Sequence, residues 1–221
     1  MKNLDFSVIA PYMTLLPAAV RMVLTIGLCA FVLASLLAVT VGSLRSRPRW
    51  KPLEFLLGFY VEFFRGTPLM VQLFIVYYGL PAFGIKLPPI PPAIWTMGLN
   101  SGAYLAENMR AAILSVDRGQ YEASALLGYT PFQCTLHIVL PQALRIALPS
   151  FMNGFSTMIK ETSIASLLPI IELMKLGNQI YAKTYHPFEI FITIAVVYFL
   201  MTYFVTLLSR WIERRLAVWA N

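Results

Sequence analysis

The stretch EASALLGYTPFQCTLHIVLP, residues 122–141, interrupts a chain that otherwise has the composition of a membrane protein. Asp117 is placed to cap a helix that runs until Gly128, where glycine permits a left-handed exit. A second helix then begins with residues that have the spacing of a capping box, namely Thr130, Pro131 and Gln133. Pro141 ends or bends this second helix. The pattern predicts two short helices back to back that form a rigid protrusion, and the alternative is an amphipathic hairpin lying on the membrane surface.

The composition of the whole chain indicates an integral membrane protein. Of its 221 residues, 58% are hydrophobic and 12% are charged, and the mean hydropathy is +0.70, so a soluble globule would leave much apolar surface exposed. The first apolar run lacks a small-residue cleavage pattern, and we expect it to be a retained span. Cys29 and Cys134 lie far apart, so neither a disulfide framework nor a metal cluster is expected. The net charge of +7 comes from basic residues in short loops, which indicates membrane topology and not a nucleic-acid partner.

Five stretches are long and apolar enough to cross a bilayer as helices. They are approximately residues 22–44, 61–80, 93–114, 148–170 and 188–209. The sequence therefore predicts an all-α integral membrane protein with five transmembrane helices, a single domain over residues 1–221, and a loop at residues 117–141. The second span carries Glu62 and Arg65 near its start, and the third and fourth carry several polar groups each. This predicts that these three spans do not face lipid on all sides.

Lysine and arginine residues predict the orientation in the membrane. Ten are assigned to the side that follows the first, third and fifth spans, namely Arg45, Arg47, Arg49, Lys51, Arg110, Arg118, Arg145, Arg210, Arg214 and Arg215. Four are assigned to the other side, namely Lys2, Lys86, Lys175 and Lys183. The positive-inside bias puts the amino terminus outside, and the carboxy terminus and the loop at residues 117–141 in the cytoplasm. The external link at residues 173–187 is predicted to be partly helical.

The loop resembles the EAA loop of bacterial ABC importer permeases, whose pattern is EAA-x3-G-x9-I-x-LP. Every anchor matches except that serine replaces the second alanine; the matching residues are Glu122, Ala123, Ser124, Gly128, Ile138, Leu140 and Pro141. In that family the loop is a coupling helix that seats in a cleft on a separate ATPase subunit. The resemblance implies a type I permease fold, two ABC ATPase subunits as partners, and a second permease chain that is either identical or related. It also implies that ATP and Mg²⁺ are bound by the ATPase, so that this chain holds no cofactor.

Three further stretches resemble the permeases for polar amino acids, a group that handles glutamine, glutamate, histidine, arginine, cystine and opines. They are EFFRGTPLMVQLFIVYYGLP (residues 62–81), AYLAENMRAAILSVDRGQYEAS (residues 103–124) and IKETSIASLLPIIEL (residues 159–173). The likeness covers about residues 15–215. It implies location in the bacterial inner membrane and a soluble periplasmic or lipid-anchored binding protein that delivers a polar amino acid.

Polar residues inside the spans are candidates for the substrate path. Asn100 and Tyr104 share one face of the third span with Glu107, and Asn153, Thr157 and Glu161 form a row at four-residue spacing in the fourth. In the resembled family the residues that match Asn100 and Glu161 line the substrate cavity. Pro68 can kink the second span, which makes Thr67, Met70 and Gln72 secondary candidates. The alternative for Glu161 is that it and Lys160 only hold helices together.

Two residues bear on the choice of substrate. Arg65 is interpreted as an anchor at the membrane interface or a partner of Glu62 three residues earlier. Family members that carry arginine or histidine often have an acidic residue directly after the asparagine of the fourth span, whereas this chain has Gly154. The resemblance therefore favours a neutral or general polar amino acid.

Motifs for chemistry within the chain are absent from the sequence. It has no phosphate-binding G-x4-GK-[ST] loop, no GxSxG elbow and no HExxH helix. We therefore expect a transport subunit that is not itself an enzyme. The rival class is an autonomous channel or ion-coupled carrier in which Lys160 and Glu161 act as a charge relay.

Overall fold

The chain folds as an assembly of helices. The computed structural model describes residues 4–47 and 50–217, and no strand occurs in those ranges. The α-helices are α1 (Leu16–Ser46), α2 (Lys51–Gly66), α3 (Leu69–Phe74), α4 (Ile90–Leu114), α5 (Arg118–Leu126), α6 (Pro131–Cys134), α7 (Leu140–Glu161), α8 (Leu173–Thr184) and α9 (Pro187–Ala217). Lys2 and Arg49, which entered the predicted orientation, lie outside the described residues.

Helices α1 and α4 form the centre of the fold through small side chains. Ala30, Ala34 and Ala38 recur every four residues along α1 and are fully buried, which produces one narrow face that another helix can approach closely. On α4, a Cβ atom built at Gly98 would lie 2.6 Å from Leu33 Cδ2. The two backbones therefore pack closely where glycine and alanine leave room, which makes the centre of the protein stiff.

The second predicted span is broken. Helix α2 ends at Gly66, and the helical run Leu69–Phe83 leaves the break at an angle of 107°. Pro68 has no backbone N–H and forces the preceding residue away from helical geometry, and Thr67 accordingly has an extended ψ of 145°. The predicted kink is confirmed, and one span over residues 61–80 remains a prediction, since the two bent helices count as a span only if they cross the membrane together.

The fourth predicted span is also displaced. Helix α6, a π-helical turn at Thr135–Val139 and α7 follow one another without a gap, so one helical run extends from Pro131 to Glu161. Pro141 lies at the start of α7, where the π turn accommodates its missing N–H. The prediction that the second helix is short and ends at Pro141 is therefore wrong, because the helical run continues through this residue. The α-helix ends at Glu161, well before the predicted boundary at residue 170, and continues as a 3₁₀ helix at Thr162–Leu167.

The helix predicted in the link at residues 173–187 is confirmed as α8, and a buried carboxylate holds it in place. Glu172 is fully buried. Its side chain accepts hydrogen bonds from the backbone N–H groups of Met174 (2.9 Å) and Lys175 (2.6 Å), which caps α8. The Tyr198 hydroxyl donates a third at 2.9 Å, which ties α9 to this cap.

Two helical runs in the described residues, Phe6–Ser46 and Pro187–Arg215, are long and apolar enough to cross a membrane individually. The bent pair of α2 and Leu69–Phe83 would be a third such segment. Helices α4 and α7 have more polar faces than these runs, as their sequences predicted. The all-helical fold is confirmed, and the count of five spans remains a prediction.

We predict that Gly42→Ala destabilises the protein, because a Cβ atom at residue 42 would lie 2.7 Å from the Ala106 carbonyl oxygen and 2.8 Å from Met109 Cβ. Overpacking of this kind costs roughly 1 to 3 kcal/mol. The measurement is the thermal unfolding temperature of the detergent-purified protein. Gly58→Ala in α2 is the matched control, since no atom lies within 4 Å of the added methyl group. Equal unfolding temperatures for the two variants would contradict the close packing of α1 on α4.

Candidate functional site

A polar cavity of about 800 Å³ lies between the end of α2, the break that follows it, α4 and α7. Its volume is within the roughly 300 to 1,000 Å³ that is usual for small-molecule sites. The polar lining residues are Arg65, Thr67, Asn100, Ser101, Tyr104, Asn108, Ser150, Asn153, Thr157 and Glu161. A cavity with so many hydrogen-bonding groups is suited to a polar solute and not to an apolar one.

Helix α7 contributes a row of polar side chains to one wall of the cavity. Ser150, Asn153, Thr157 and Glu161 all line it, at spacings of three and four residues, which keeps them on one face of the helix. The last three were predicted from the sequence. Ser150 was missed, although its position three residues before Asn153 extends the same row. Glu161 is the charged residue at the end of this row.

The end of α2 also lines the cavity, and side chains satisfy its backbone carbonyl groups. The Phe64 carbonyl oxygen accepts hydrogen bonds from Asn100 Nδ2 (2.9 Å) and Gln72 Nε2 (3.0 Å). Asn100 Nδ2 also donates to Gln72 Oε1 (3.1 Å), and both of these residues are buried. The Tyr104 hydroxyl donates to the Arg65 carbonyl oxygen (3.2 Å). We call this set of contacts the carbonyl clasp: Phe64, Arg65, Gln72, Asn100 and Tyr104.

The clasp changes the interpretation of Asn100. Helix ends leave carbonyl groups without intrahelical partners, and such groups must be paired when they lie away from water. The amide nitrogen of Asn100 is used for this purpose, so the side chain holds the broken helix together at the edge of the cavity. Asn100 thus lines the cavity as predicted, but its nitrogen is already paired within the protein.

Two side chains that the sequence placed near the path lie elsewhere. Met70 is absent from the cavity wall and is 45% exposed, because the bend after Gly66 turns α3 away from the line of α2. The Glu107 carboxylate forms ion pairs with Arg45, at 2.7 Å, and with Arg110. It therefore joins α4 to the end of α1, whereas Tyr104, one turn earlier, lines the cavity.

Arg65 lies in the cavity wall, which the sequence interpretation as an interfacial anchor did not foresee. Its guanidinium carbon lies 5.5 Å from the centroid of the Tyr104 ring, within the range of a cation–π interaction. Within residues 4–47 and 50–217, Arg65 forms no ion pair, so the suggested pairing with Glu62 is not found. Arg65 and Glu161 are the charged residues that line this cavity.

Lys160 and Glu161 face different spaces, as expected for adjacent residues about 100° apart around a helix. Glu161 lines the polar cavity, whereas Lys160 lines a separate cleft of about 610 Å³ between α7, α8 and α9.

The protrusion predicted from the opening stretch is present, and we call residues 117–134 the knob. Asp117 caps α5 by accepting a hydrogen bond from the Gly119 N–H at 2.7 Å. Gly128 has a positive φ of 80°, the predicted left-handed exit. Thr130 and Gln133 form the predicted capping box at the start of α6. The local signals at both helix ends are therefore confirmed.

The surface of the knob is apolar and exposed. Leu126 and Phe132 are 89% and 71% exposed, and Leu127 and Tyr129 are exposed beside them. Contiguous exposed apolar residues of this kind indicate an interaction surface. The sequence pattern did not single these residues out, because it described the anchors of the motif and not the positions between them.

The anchors of the EAA-like pattern separate into two groups. Glu122, Ala123, Gly128 and Pro141 are exposed, whereas Ser124 is buried and Ile138 and Leu140 are half-buried. The Ser124 hydroxyl donates to the Tyr121 carbonyl oxygen at 2.8 Å, so this side chain stabilises α5 internally and is not part of the exposed surface of the knob. Ile138 and Leu140 likewise support the base of the knob from within the run that becomes α7.

The knob is fixed to the helices that line the cavity. A short turn connects α4 to α5, and α6 continues into α7. The Tyr121 hydroxyl donates to the Ile113 carbonyl oxygen of α4 at 3.3 Å. The Arg47 guanidinium lies 3.8 Å from the centroid of the Tyr121 ring, which adds the end of α1 to the same joint.

A helical membrane fold with a broken helix, a polar cavity and a knob joined to the cavity helices defines a permease of the type I ABC fold. The family of binding-protein-dependent transport system inner membrane components matches residues 30–218, and this chain belongs to that family.

Characterised relatives align over nearly the whole chain. The L-cystine transport system permease protein TcyB of Bacillus subtilis (strain 168) is 36% identical over 91% of this chain and 86% of its own length. The glutamine transport system permease protein GlnP of Escherichia coli (strain K12) is 33% identical over 97% and 98% of the two chains. A crystal structure of an amino acid ABC transporter with histidines is 35% identical, with a TM-score of 0.88 and coverage of 96% of this chain and 99% of that chain.

We predict that Asn100→Leu destabilises the carbonyl clasp, because the Phe64 carbonyl oxygen and Gln72 Oε1 each lose a donor. Loss of a buried hydrogen-bond partner costs roughly 1 to 3 kcal/mol. The thermal unfolding temperature should fall. Ser101→Ala is the control, since Ser101 is the next residue in α4 and also lines the cavity. An Asn100→Leu protein as stable as Ser101→Ala would contradict the clasp.

Proposed function

We propose that this chain is the permease subunit of an ATP-driven importer of polar amino acids, with ATP hydrolysed by separate subunits. The observation that carries the proposal is that the cavity and the knob are built on the same two helical runs. Helix α4 continues through a short turn into α5, and α6 continues into α7, while α4 and α7 both line the cavity. A displacement of the knob by a partner would therefore move both walls.

The mechanism that this arrangement favours is alternating access. ATP binding would draw two ATPase subunits together, and each would displace the knob seated on it. The exposed apolar residues around Leu126 and Phe132 are suited to such a contact, and Glu122 offers a negative charge beside them. The rigid caps of α5 and α6 support transmission of the force, because a flexible loop would absorb it.

Amino acids are favoured as substrates by the cavity and by the relatives. A volume of about 800 Å³ accommodates an amino acid with some water, and its walls carry hydroxyl, amide and charged groups. Among the relatives, TcyB is named for L-cystine and GlnP for glutamine, and the similar crystal structure contains histidines.

A neutral or general polar side chain is favoured over a cationic one. Gly154 lies in the cavity wall, and a Cβ atom built on it would be 3.0 Å from Leu105 Cδ2. Leu105 thus takes up space next to the position where related permeases for cationic substrates often have an acidic residue. Without a carboxylate there, the cavity has less negative charge for a cationic side chain.

The complete importer would need further subunits. We infer a second permease chain, identical or related, because the polar faces of α4 and α7 are costly in lipid and because one chain leaves the cavity open. Two ABC ATPases would seat on the cytoplasmic knobs, and a soluble periplasmic or lipid-anchored binding protein would deliver the amino acid. In the proposed topology the permease has five spans in the bacterial inner membrane, with its amino terminus outside and its carboxy terminus in the cytoplasm.

The rival function, an autonomous ion-coupled carrier, would use Lys160 and Glu161 as a charge relay. These residues line two different spaces, which disfavours a direct exchange of protons between them.

The two functions make opposite predictions for the purified chain. We predict that liposomes containing the permease alone take up no labelled amino acid under an ion gradient. Uptake should require the ATPase, internal ATP and the binding protein. Ion-driven uptake without an ATPase would contradict the proposal.

We predict that Leu126→Asp abolishes co-purification of the ATPase with the tagged permease, because a charge would replace an apolar contact at the centre of the knob. The variant permease should still insert in the membrane, since Leu126 is 89% exposed and supports no internal packing. Phe83→Asp is the matched control: Phe83 is 83% exposed in the link before α4, on the predicted external side. Retention of the ATPase by Leu126→Asp, or its loss from Phe83→Asp, would contradict the assignment of the knob.

A further inference from the structure

A second polar pocket, of about 450 Å³, lies between the end of α1, α2 and α4. We call it the interfacial pocket, and its lining residues are Arg45, Glu54, Phe55, Gly58, Phe59, Glu62 and Arg110. None of these residues lines the polar cavity described above. Arg45 and Arg110 are among the basic residues that the positive-inside bias assigns to the cytoplasmic side. The pocket is therefore expected at the level of the lipid headgroups on that side.

The two arginines of the pocket keep hydrogen-bond donors for a ligand. Both guanidinium groups bind the Glu107 carboxylate, Arg45 through Nη1 at 2.7 Å, and Arg110 through Nε at 2.7 Å and through Nη2. A guanidinium group has five N–H donors, so these contacts leave donors on both side chains. Two arginines and one glutamate give this cluster a net charge of +1. The cluster can therefore bind a phosphate while its internal ion pairs stay in place.

A row of residues on α2 brings two carboxylates to the same pocket. Glu54, Gly58 and Glu62 are spaced four residues apart, so they lie on one face of the helix. Within residues 4–47 and 50–217 neither carboxylate forms an ion pair. No atom lies within 4 Å of a Cβ atom built at Gly58, so the glycine leaves an open space between the two carboxylates. Glu62 belongs to a predicted span, where an unpaired charge is costly, and a cation from outside the chain would compensate it.

The aromatic residues of the pocket are suited to contact with lipid. Phe55 and Phe59 are 77% and 60% exposed. The Phe59 ring stacks on the Phe63 ring with the centroids 5.8 Å apart, so an apolar face of α2 lies beside the charged groups. A phospholipid has the same arrangement, because its acyl chains are joined to a charged headgroup.

The balance of charges distinguishes between headgroups. The two arginines carry +2 and the three glutamates, Glu54, Glu62 and Glu107, carry −3, so the net charge around the pocket is −1. A headgroup whose only charge is a phosphate would meet a net negative environment. A headgroup with a phosphate and an ammonium group would find a partner for each charge. A primary ammonium group can also donate hydrogen bonds to the carboxylates, whereas a quaternary one has no N–H group.

We propose that the interfacial pocket binds the headgroup of phosphatidylethanolamine, a zwitterionic phospholipid with a primary ammonium group, from the cytoplasmic leaflet. The arginines bind the phosphate, Glu54 and Glu62 bind the ammonium group, and the rings of Phe55 and Phe59 contact an acyl chain. The bound lipid joins α2 to the ion pairs between α1 and α4. This site is separate from the substrate path, so the proposal goes beyond the proposed function and does not depend on which solute is transported.

The test measures lipid binding to the delipidated, detergent-purified permease by native mass spectrometry. The probes are phosphatidylethanolamine, phosphatidylcholine and phosphatidylglycerol with identical acyl chains. Phosphatidylcholine keeps both charges but has no N–H group, and phosphatidylglycerol has no cation. Phosphatidylethanolamine should bind roughly tenfold more tightly than either, as expected for a charge-assisted hydrogen bond.

The variants separate the carboxylates from the space between them. Glu54→Gln and Glu62→Gln, singly and together, should remove the preference for phosphatidylethanolamine over phosphatidylcholine. Gly58→Leu should weaken the binding of all three lipids, since it fills the open space without changing a charge. Glu213→Gln is the matched control, because this carboxylate of α9 accepts a hydrogen bond from Ser209 and does not line the pocket. It should leave the preference unchanged.

Three outcomes would overturn the proposal. Equal affinities of the unsubstituted permease for the three lipids, or tighter binding of phosphatidylglycerol, would show that the pocket does not select this headgroup. A full preference for phosphatidylethanolamine in the Glu54→Gln, Glu62→Gln double variant would place the lipid site elsewhere. Loss of the preference in Glu213→Gln would show that the effect follows the charge of the whole chain and not the pocket. Unfolding temperatures of the variants without lipid identify any general loss of structure.

Discussion

The break in the helix after Gly66 is the constraint on which the cavity depends. An α-helix that stops inside a protein leaves carbonyl groups without partners, and each would be costly in a membrane. Here the Phe64 and Arg65 carbonyl oxygens accept hydrogen bonds from Asn100, Gln72 and Tyr104. These hydrogen bonds join α2 and α3 to α4. The space beside the bend becomes the cavity, because the chain leaves at 107° where a straight helix would have filled it.

The same contacts connect the structure of the break to the electrostatics of the cavity. Tyr104 supports Arg65 through its ring and its hydroxyl group, so the position of the positive charge depends on the clasp remaining closed. Glu161, in contrast, is positioned by α7 alone. Arg65 is therefore coupled to the bend, and Glu161 belongs to the helical run that begins in the knob.

Local features of the fold could be predicted from the sequence, whereas features that depend on the direction of the chain could not. The caps at Asp117 and Thr130 and the exit at Gly128 are encoded within a few residues, and all three are confirmed. The row from Asn153 to Glu161 was found because helical spacing alone places its members on one face. The surroundings of Met70 and Arg65 depend on the angle of the break between Gly66 and Leu69, which no periodicity specifies. Ser124 matched a motif position, yet its burial depends on how α5 packs.

The two routes from the knob to the cavity differ in stiffness. The run from α6 to α7 has no gap, but it contains a π-helical turn at Thr135–Val139, and such turns are weak points because their hydrogen bonds depart from the regular ladder. The route through α4 and α5 crosses a short turn, and Tyr121 stabilises this turn. Its hydroxyl donates a hydrogen bond to the Ile113 carbonyl oxygen, and its ring lies against the Arg47 guanidinium. In the proposed transport cycle, a push on the knob would therefore carry α4 and the end of α1 as one body, while α7 has a place to bend. Unequal movement of the two helices would change the distance between Arg65, which follows α4 through the clasp, and Glu161, which follows α7.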